Sequence, residues 1–230
     1  MGSGRFCRSQ SWFGNANSGS HLLIEELMIL ANTIVASFLE KAHAKVLYRI
    51  HPKPEPQAVT WLIQRLAALG IPSPGRPDFF TPSEAADLIA KVVDYISIHV
   101  KDTGRFEALT SLVLRSLERA SYDPVNCGHS GLASSAYAHF TSPIRRYPDL
   151  VLHRELLNKL KIGGSSQNLD LNVLGKSCSE RERELASVEH AADDICLAWF
   201  LDRVLYEKGW DTKFDSQVIG LISSGLFLRF

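Results

Sequence analysis

Apolar residues recur at helical spacing through most of the chain, and they alternate with polar residues only near its carboxyl end. From Leu22 to about Ala44 the residues are apolar on nearly every side, which predicts a helix that is largely buried. Shorter amphipathic segments predict further helices at about Ala58–Leu69, Thr81–His99, Arg105–Ala120, Pro143–Lys161 and Ser179–Lys208. No repeat period links these segments, so we expect an α+β fold that is mainly helical and irregular.

Several of the predicted helices carry signals at their ends. Thr81 is followed by proline and, three residues on, by Glu84, which together predict a capping box and a helix start. Gly70 is well placed to end the helix before it. Ser179 and Glu182 predict a second capping box at the start of the last helix. The late half of that helix, "ICLAWFLDRVLY", is apolar enough that we expect it to pack.

The pattern changes after Gly209. The segment "KFDSQVIGLISSGLFLRF" predicts two strands joined by Ser223-Ser224-Gly225. A lone hairpin is marginally stable in water, so we expect it to be the opening of a larger β-domain that is cut short. Residues 1–20 contain arginine and serine but no acid and no periodic apolar face, which is typical of a disordered terminus or a cloning artefact. Residues 21–208 are predicted to form one domain.

Composition narrows the function classes only slightly. The chain has 230 residues, of which 45% are hydrophobic and 22% charged, and its 25 basic residues balance 25 acidic ones. A global field that would attract nucleic acid is therefore absent, although a local basic site remains possible. The four cysteines form no CxxC pair, which is typical of reduced thiols. No apolar run reaches the roughly 18 residues of a membrane span, so we expect no membrane partner.

The densest candidate chemistry lies in "AYAHFTSPIRRYPDL". Thr141 or Ser142 is predicted to cap a helix that begins at Pro143. Arg145 and Arg146 would then fall in the first helical turn, where cations oppose the helix dipole. Free backbone N–H groups, hydroxyls and guanidinium groups at one helix start form a phosphate-binding constellation.

Two interpretations of this segment remain open. In the first, the arginines bind phosphate, while Tyr137 and Phe140 stack on bases as single-strand binders require. In the second, both aromatic residues belong to the core and the arginines pair with Asp149 and Glu155. The sequence pattern alone does not choose between them.

At these residues the chain resembles a known family. The segment "AYAHFTSPIRRYPDLVLHR" is similar to the signature of the ribonuclease II / ribonuclease R family, the RNB exoribonucleases. Three further segments resemble the same family in the same order: "HLLIEELMILANTIVASFLEK", "SERERELASVEHAADDICLAWF" and "FDSQVIGLISSGLFLRF". The resemblance covers about Leu22 to Phe230. It implies that residues 21–208 are the C-terminal part of an RNB-type catalytic domain and that 209–230 are the first strands of an incomplete OB-fold RNA-binding domain.

The resemblance also implies an activity and roles for particular residues. The activity is hydrolytic 3′-to-5′ digestion of single-stranded RNA to 5′-mononucleotides, with RNA rather than DNA as the partner and a cytoplasmic or organellar location. Arg145 would contact the scissile phosphate, Glu25 the terminal nucleotide, and Glu189 the region of the 3′-terminal sugar. The RNA-binding set would be completed by Tyr137, Phe140, Thr141, Ser142 and Arg146.

One feature of the family is missing. Its members hold magnesium with a compact cluster of aspartates upstream of the helix that begins here at Leu22, and this sequence has no such cluster. Asp193-Asp194 is an adjacent pair, but it lies late on a predicted helix with a solvated face. Phosphodiester hydrolysis of this kind needs metal ions. We therefore expect the chain to be inactive alone and to need the missing N-terminal half of the catalytic domain as a partner. The alternative is a non-catalytic helical RNA-binding or scaffold module.

Overall fold

The computed structural model describes residues 19–72, 80–100, 105–163, 168–223 and 225–229. The mainly helical α+β class is confirmed. The helices in chain order are α1 (Gly19–Lys41), α2 (Pro56–Ala68), α3 (Pro82–His99), α4 (Phe106–Arg115), α5 (Tyr147–Lys159) and α6 (Leu171–Lys208). The strands are β1 (Tyr48–Ile50), β2 (Ser121–Asp123), β3 (Gln217–Ile222) and β4 (Gly225–Arg229), and residues Ser130–Leu132 form a 3₁₀ turn.

The chain divides into two compact units. The first comprises residues through Ile50, Tyr122–Gly128 and Ser134–Lys176. The second comprises His51–Ser121, His129–Ala133 and the residues from Ser177 onward. The domain boundaries predicted at residues 20 and 208 stay a prediction, and the first predicted segment lies largely outside the described residues.

The core of the first unit joins α1 and α5 to the segment that leads into the motif. Strand β1 pairs with β2 in a two-stranded sheet that the sequence pattern did not predict. Its buried side chains come from α1, β1 and α5 and from the residues just before the motif. They are Ala36, Leu39, Val46, Tyr48, Ala136, Ala138 and Leu152.

Helix α1 forms as predicted, but the expectation that it is largely buried is wrong. Its buried residues are Asn32, Ala36 and Leu39, which lie on one face. The other faces carry large apolar side chains that nothing in the described part of the chain covers. The exposed ones are Leu22, Leu23, Ile24, Leu27, Met28, Leu30, Ile34 and Phe38.

Helix α1 is also long and apolar enough to cross a membrane, judged by length and composition alone. An 18-residue window of α1 has a mean hydropathy of 1.8. The expectation that no segment could span a membrane considered only uninterrupted apolar runs, and polar residues interrupt this window. Core helices of soluble proteins share these properties. The exposed apolar faces of α1 therefore suit contact with another apolar surface.

Helix α6 begins earlier than the sequence pattern predicts. Its first residue is Leu171, and Ser179 is buried within the helix rather than capping it. The cap is Asp170, whose Oδ1 accepts hydrogen bonds from Asn172 N at 3.0 Å and from Val173 N at 3.2 Å. A carboxylate that satisfies two free N–H groups is the ordinary way to begin a helix.

The late half of α6 does not pack as expected. Ile195, Leu197, Trp199 and Phe200 are all exposed. The guanidinium of Arg203 lies over the Trp199 ring, 5.7 Å from its centroid. Within the described residues this apolar surface has no cover, as with α1.

Close packing fixes the first turns of α6 in the first unit. A Cβ atom added at Gly175 would lie 2.7 Å from the Tyr122 carbonyl oxygen and 3.1 Å from Leu47 Cδ2. Glycine therefore permits an approach to β2 that no other residue allows.

We expect Gly175→Ala to destabilise the chain by about 1–3 kcal/mol, because the added methyl forces the helix away from β2. At an exposed helical position the same change would stabilise by roughly 1 kcal/mol. Chemical unfolding of the variant measures the sign. Ser177→Ala, at an exposed position on the same helix, is the control and should change stability little. Unchanged or increased stability in Gly175→Ala would contradict the packing described.

The second unit has its core among α2, α3 and α4. The α2 helix begins at Pro56, and Gly70 follows it with φ of +72°, which confirms the predicted end. Helix α4 ends at Arg115 and not near Ala120. The C-terminal hairpin is confirmed, since β3 and β4 pair antiparallel up to Ile222 opposite Gly225. The buried core residues are Val59, Leu62, Ile63, Leu66, Ala85, Leu88, Ile89, Val92, Ile96, Val100, Leu109 and Val113.

The predicted capping box at the start of α3 is confirmed. Thr81 Oγ1 accepts from Glu84 N at 3.3 Å, and Glu84 Oε2 accepts from Thr81 N at 2.7 Å and from Thr81 Oγ1 at 2.9 Å. These hydrogen bonds from the backbone and the hydroxyl of Thr81 hold the pKa of Glu84 below its ordinary value.

We expect Thr81→Ala to destabilise the second unit by about 1 kcal/mol at neutral pH, as loss of a helix cap usually does. Because the pKa of Glu84 is lowered on folding, its contribution is present above its ordinary pKa and is lost as the pH falls through its folded value. Alanine keeps the backbone donor to Glu84 and loses only the hydroxyl donor, so the part of the difference in unfolding free energy that comes from this hydroxyl should shrink below pH 4.5. The role given to Glu84 would be contradicted if the difference in unfolding free energy stayed constant between about pH 3 and pH 7, the range over which carboxylates titrate.

Candidate phosphate-binding site

The motif forms a turn that precedes α5 and is not part of the helix. The expected start at Pro143 is wrong, because α5 begins at Tyr147 with Arg146 in the capping position and Pro148 in the first turn. Both prolines suit a first helical turn, and the hydrogen bond from Ser142 N to Asp149 Oδ2 holds the residues before Tyr147 in a turn instead. Arg145 and Arg146 therefore lie before the helix and do not oppose its dipole from within.

A buried carboxylate holds this turn in place. Asp149 is fully buried, and its Oδ2 accepts a hydrogen bond from Ser142 N at 2.8 Å. The same oxygen accepts from Arg146 Nη2 at 2.8 Å and from Arg146 Nε at 3.2 Å. Of the two open interpretations, the pairing of one arginine with Asp149 is what the structure shows. Glu155 instead accepts from Asn158 Nδ2 at 3.4 Å.

Arg145 differs from its neighbour. Its backbone N–H donates to Ser142 O at 3.3 Å, which fixes its main chain within the turn. Its side chain is exposed and makes no hydrogen bond or ion pair with the described residues. A guanidinium on a fixed backbone with all its donors free is suited to bind an anion such as phosphate.

Polar atoms without partners lie in the same segment. Thr141 Oγ1 and Asp149 Oδ1 are both buried and have no hydrogen-bond partner among the described residues. Buried polar atoms are normally satisfied by protein or water, so each offers a place for a bound group or a water. Thr141 and Ser142 stay predictions as RNA contacts.

The two aromatic residues of the motif are held by contacts within the protein. Tyr137 is buried, 7% exposed, and its hydroxyl accepts from Asn32 Nδ2 at 2.9 Å. Asn32 Oδ1 accepts from Phe140 N at 2.9 Å, while His153 Nε2 donates to Phe140 O at 2.7 Å and its ring stacks on Phe140 at 4.3 Å. A core position for both rings is the alternative left open by the sequence. Stacking on bases stays a prediction that this burial does not favour.

The two acidic candidates lie on different units. Glu25 is exposed on α1, seven residues before Asn32 and therefore on the same helical face about two turns away. On that face, Asn32 forms hydrogen bonds with Tyr137 and Phe140 of the motif. Glu189 is exposed on α6 within the second unit. For both residues a contact with RNA stays a prediction.

Two residues outside the predicted RNA-binding set organise the site: Asn32, which sequence reasoning passed over, and Asp149, which it considered only as a partner of the arginines. Asn32 is 3% exposed and ties α1 to Tyr137 and Phe140, and Asp149 ties the turn to α5. A signal for each was present: an amide inside an otherwise apolar helix must find polar partners, and an acid three residues after Arg146 is within reach of it.

The residues of this region do not fit a magnesium site. Among the described residues no group of three or more His, Cys, Asp or Glu side chains is placed to hold a metal ion. Magnesium prefers several oxygen ligands in octahedral geometry, which a single buried carboxylate cannot supply. The described residues of this turn thus offer donors that suit an anion and no cluster that suits a metal ion.

Comparison with known proteins agrees with the motif. The RNB domain family model matches residues 8–162. Ribonuclease R of Escherichia coli is 40% identical over 225 residues, covering 91% of this chain and 26% of the relative. Ribonuclease R of Mycoplasmopsis pulmonis is 34% identical over 217 residues, covering 92% of this chain and 28% of the relative. The chain thus spans about a quarter of the length of these curated relatives.

Solved structures show the same likeness. Mycoplasma genitalium RNase R in complex with ribose-methylated single-stranded RNA is 27% identical with a TM-score of 0.71, covering 93% of this chain and 32% of that one. The same enzyme in complex with double-stranded RNA is 28% identical with a TM-score of 0.72, covering 92% of this chain and 36% of that one. With a family match over most of its length and these relatives, the chain belongs to the family of proteins that contain an RNB domain.

Proposed function

We propose that this chain is part of a hydrolytic 3′-to-5′ exoribonuclease of single-stranded RNA, and that it supplies the side of the active site that binds the phosphate. The observation that carries the proposal is Arg145, an exposed guanidinium without a partner among the described residues, on a turn that a buried carboxylate fixes. The similarity to proteins named Ribonuclease R, one of them solved with single-stranded RNA, supports it.

The division of labour between the two arginines follows from their contacts. Arg146 uses its guanidinium to neutralise Asp149 and so keeps the turn closed. Arg145 is left to bind two phosphate oxygens at once through its planar fork of donors. Charge that develops on the phosphate in the transition state strengthens such hydrogen bonds, so the residue orients the substrate and also lowers the barrier. Thr141 Oγ1 is a further donor in the same segment.

The remaining chemistry must come from outside the described residues. Hydrolysis of a phosphodiester by this route needs metal ions to activate water and to neutralise the leaving oxygen. We propose that magnesium ligands are supplied by the other half of an RNB catalytic domain, acting as a partner of this chain. The uncovered apolar faces of α1 support this, because a monomer seldom exposes so many large apolar side chains along one helix.

We expect the isolated chain to show no metal-dependent hydrolysis of RNA, because its described carboxylates form no metal-binding group. The assay incubates purified protein with 3′-labelled single-stranded RNA and magnesium and follows release of mononucleotides. Release that a chelator abolishes, from protein free of contaminating nucleases, would contradict the expectation.

Addition of the N-terminal half of an RNB domain tests the proposed partner. Binding of the two polypeptides on size-exclusion chromatography, with hydrolysis that neither shows alone, would support the enzyme. Leu27→Glu on α1 should weaken that association, while Lys41→Glu at the polar end of the same helix should not.

A second candidate is a non-catalytic RNA-binding or scaffold module. The lack of a metal-binding group among the described residues favours it. The same complementation separates the two candidates: a complex that binds RNA in an Arg145-dependent manner but never hydrolyses it would identify the module.

A further inference from the structure

A cavity of about 320 Å³ lies within the second unit, whereas the motif residues belong to the first. One side is an apolar face of α3, and the opposite side comes from the chain just after β1 and from the 3₁₀ turn. Its volume is at the lower end of the range for small-molecule sites. The lining residues are His51, Pro54, Ala86, Ile89, Ala90, Val93, Asp94, Leu117, Ser130 and Gly131.

Hydrogen bonds fix the polar end of this cavity. His51 Nε2 lies 2.8 Å from the Glu118 carbonyl oxygen, which can only accept, so Nε2 carries the hydrogen and Nδ1 the lone pair. Gly131 N donates to Nδ1 at 3.0 Å, and Ser130 Oγ lies 2.6 Å from the same nitrogen. Both ring nitrogens of His51 are therefore occupied by partners within the protein.

The atoms left over are acceptors. The Ser130 hydroxyl has a single hydrogen, which either His51 Nδ1 or the Pro52 carbonyl oxygen, at 2.8 Å, can accept. The Pro52 carbonyl offers no donor to the lone pairs of Ser130 Oγ. Asp94 is exposed and makes no hydrogen bond or ion pair with the described residues. The lining contains no lysine or arginine. A ligand for this cavity must therefore donate hydrogen bonds, carry no negative charge there and present an apolar body.

We infer that this cavity binds a nucleobase with an exocyclic amine, such as adenine, as a second contact for RNA in a different structural unit from the phosphate-binding turn. The amine would donate to the Asp94 carboxylate, the ring would lie against Ala90 and Val93, and the sugar and phosphate would stay outside. The inference rests on the proposed function for its ligand class, because RNA is the source of such bases. The lining chemistry alone excludes the phosphate group as the recognised part.

Substitutions on α3 distinguish binding in the cavity from binding elsewhere on the same helix. Ala90→Leu fills the cavity with a good helix former. Asp94→Asn removes the acceptor charge with almost no change of shape. Asp87→Asn is the matched control, since Asp87 is an exposed acid on the same helix that does not line the cavity.

The test is titration of the 230-residue chain with adenosine, cytidine and uridine, followed by NMR of the Ile89 and Val93 methyl groups. We expect adenosine to shift them with a Kd in roughly the millimolar range, typical of so small a ligand. Uridine, which lacks the amine, should bind about tenfold more weakly, as should adenosine to Asp94→Asn, because a hydrogen bond to a charged group is lost. Ala90→Leu should abolish the shifts, and Asp87→Asn should leave them unchanged.

The controls also separate this inference from the proposed function. A nucleoside carries no phosphate, so Arg145→Ala must leave the adenosine shifts unchanged while it weakens RNA binding. No shift at saturating adenosine, equal effects of Asp94→Asn and Asp87→Asn, or shifts confined to residues outside the cavity would each overturn the inference. Unchanged RNA hydrolysis when Arg145→Ala is placed in the complemented enzyme, with adenosine binding retained, would instead overturn the proposed function.

Discussion

Replacing Arg145 by alanine in a complete enzyme that carries this sequence should reduce turnover far more than it weakens RNA binding. Its free guanidinium gains most from the charge that develops in the transition state, whereas many phosphates share the ground-state binding. Loss of such a contact typically costs on the order of 3–4 kcal/mol, or some hundreds-fold in rate. Single-turnover hydrolysis of labelled single-stranded RNA, with binding measured in parallel at two salt concentrations, separates the two quantities.

Two further variants sharpen this expectation. Arg145→Lys should restore little activity, because an ammonium cannot reproduce the two parallel hydrogen bonds of a guanidinium. Arg181→Ala removes an exposed arginine from α6 that pairs with Glu184 at 2.6 Å, and it should leave turnover unchanged. If Arg145→Ala kept near-normal turnover and only made binding more sensitive to salt, the residue would be an ordinary backbone contact.

Local signals in the sequence predicted the local structure well. The capping box at Thr81 and Glu84 and the hairpin pairing of Ile222 with Gly225 act through neighbours within a few residues, so the sequence contains all that decides them. Competition between two local signals was harder to resolve. Pro143 and Pro148 both suit a helix start, as do Asp170 and Ser179, and the choice depended on hydrogen bonds that only the folded chain shows.

Burial was the part that the pattern could not decide. Apolarity on all sides of α1 predicts that something covers the helix, but not that the cover lies in the same chain. The late half of α6 presents the same problem. The candidate site could be proposed because its residues are consecutive, whereas Asn32 contributes from 105 residues away to Tyr137 and could be recognised only as a polar residue in need of partners.

The second large effect that we expect is on stability, at Asp149. Asp149→Ala removes the acceptor of Ser142 N and leaves the Arg146 guanidinium without its counter-ion in a partly buried position. Breaking a buried pair from one side usually costs 3–5 kcal/mol. Because the Arg146 side chain keeps 19% of its surface in contact with water, we expect about 3 kcal/mol, measured by chemical unfolding of the 230-residue chain.

The chain contains its own control for this effect. Arg181 and Glu184 form an ion pair with the same three-residue spacing, but their side chains are 75% and 61% exposed. Glu184→Ala should therefore cost less than about 0.5 kcal/mol. A double-mutant cycle on Arg146 and Asp149 should give a coupling energy above that of the exposed pair, because a buried charge without its partner is what burial penalises. Equal costs for Asp149→Ala and Glu184→Ala would mean that the turn does not depend on its buried carboxylate, and the fixed position of Arg145 would then need another cause.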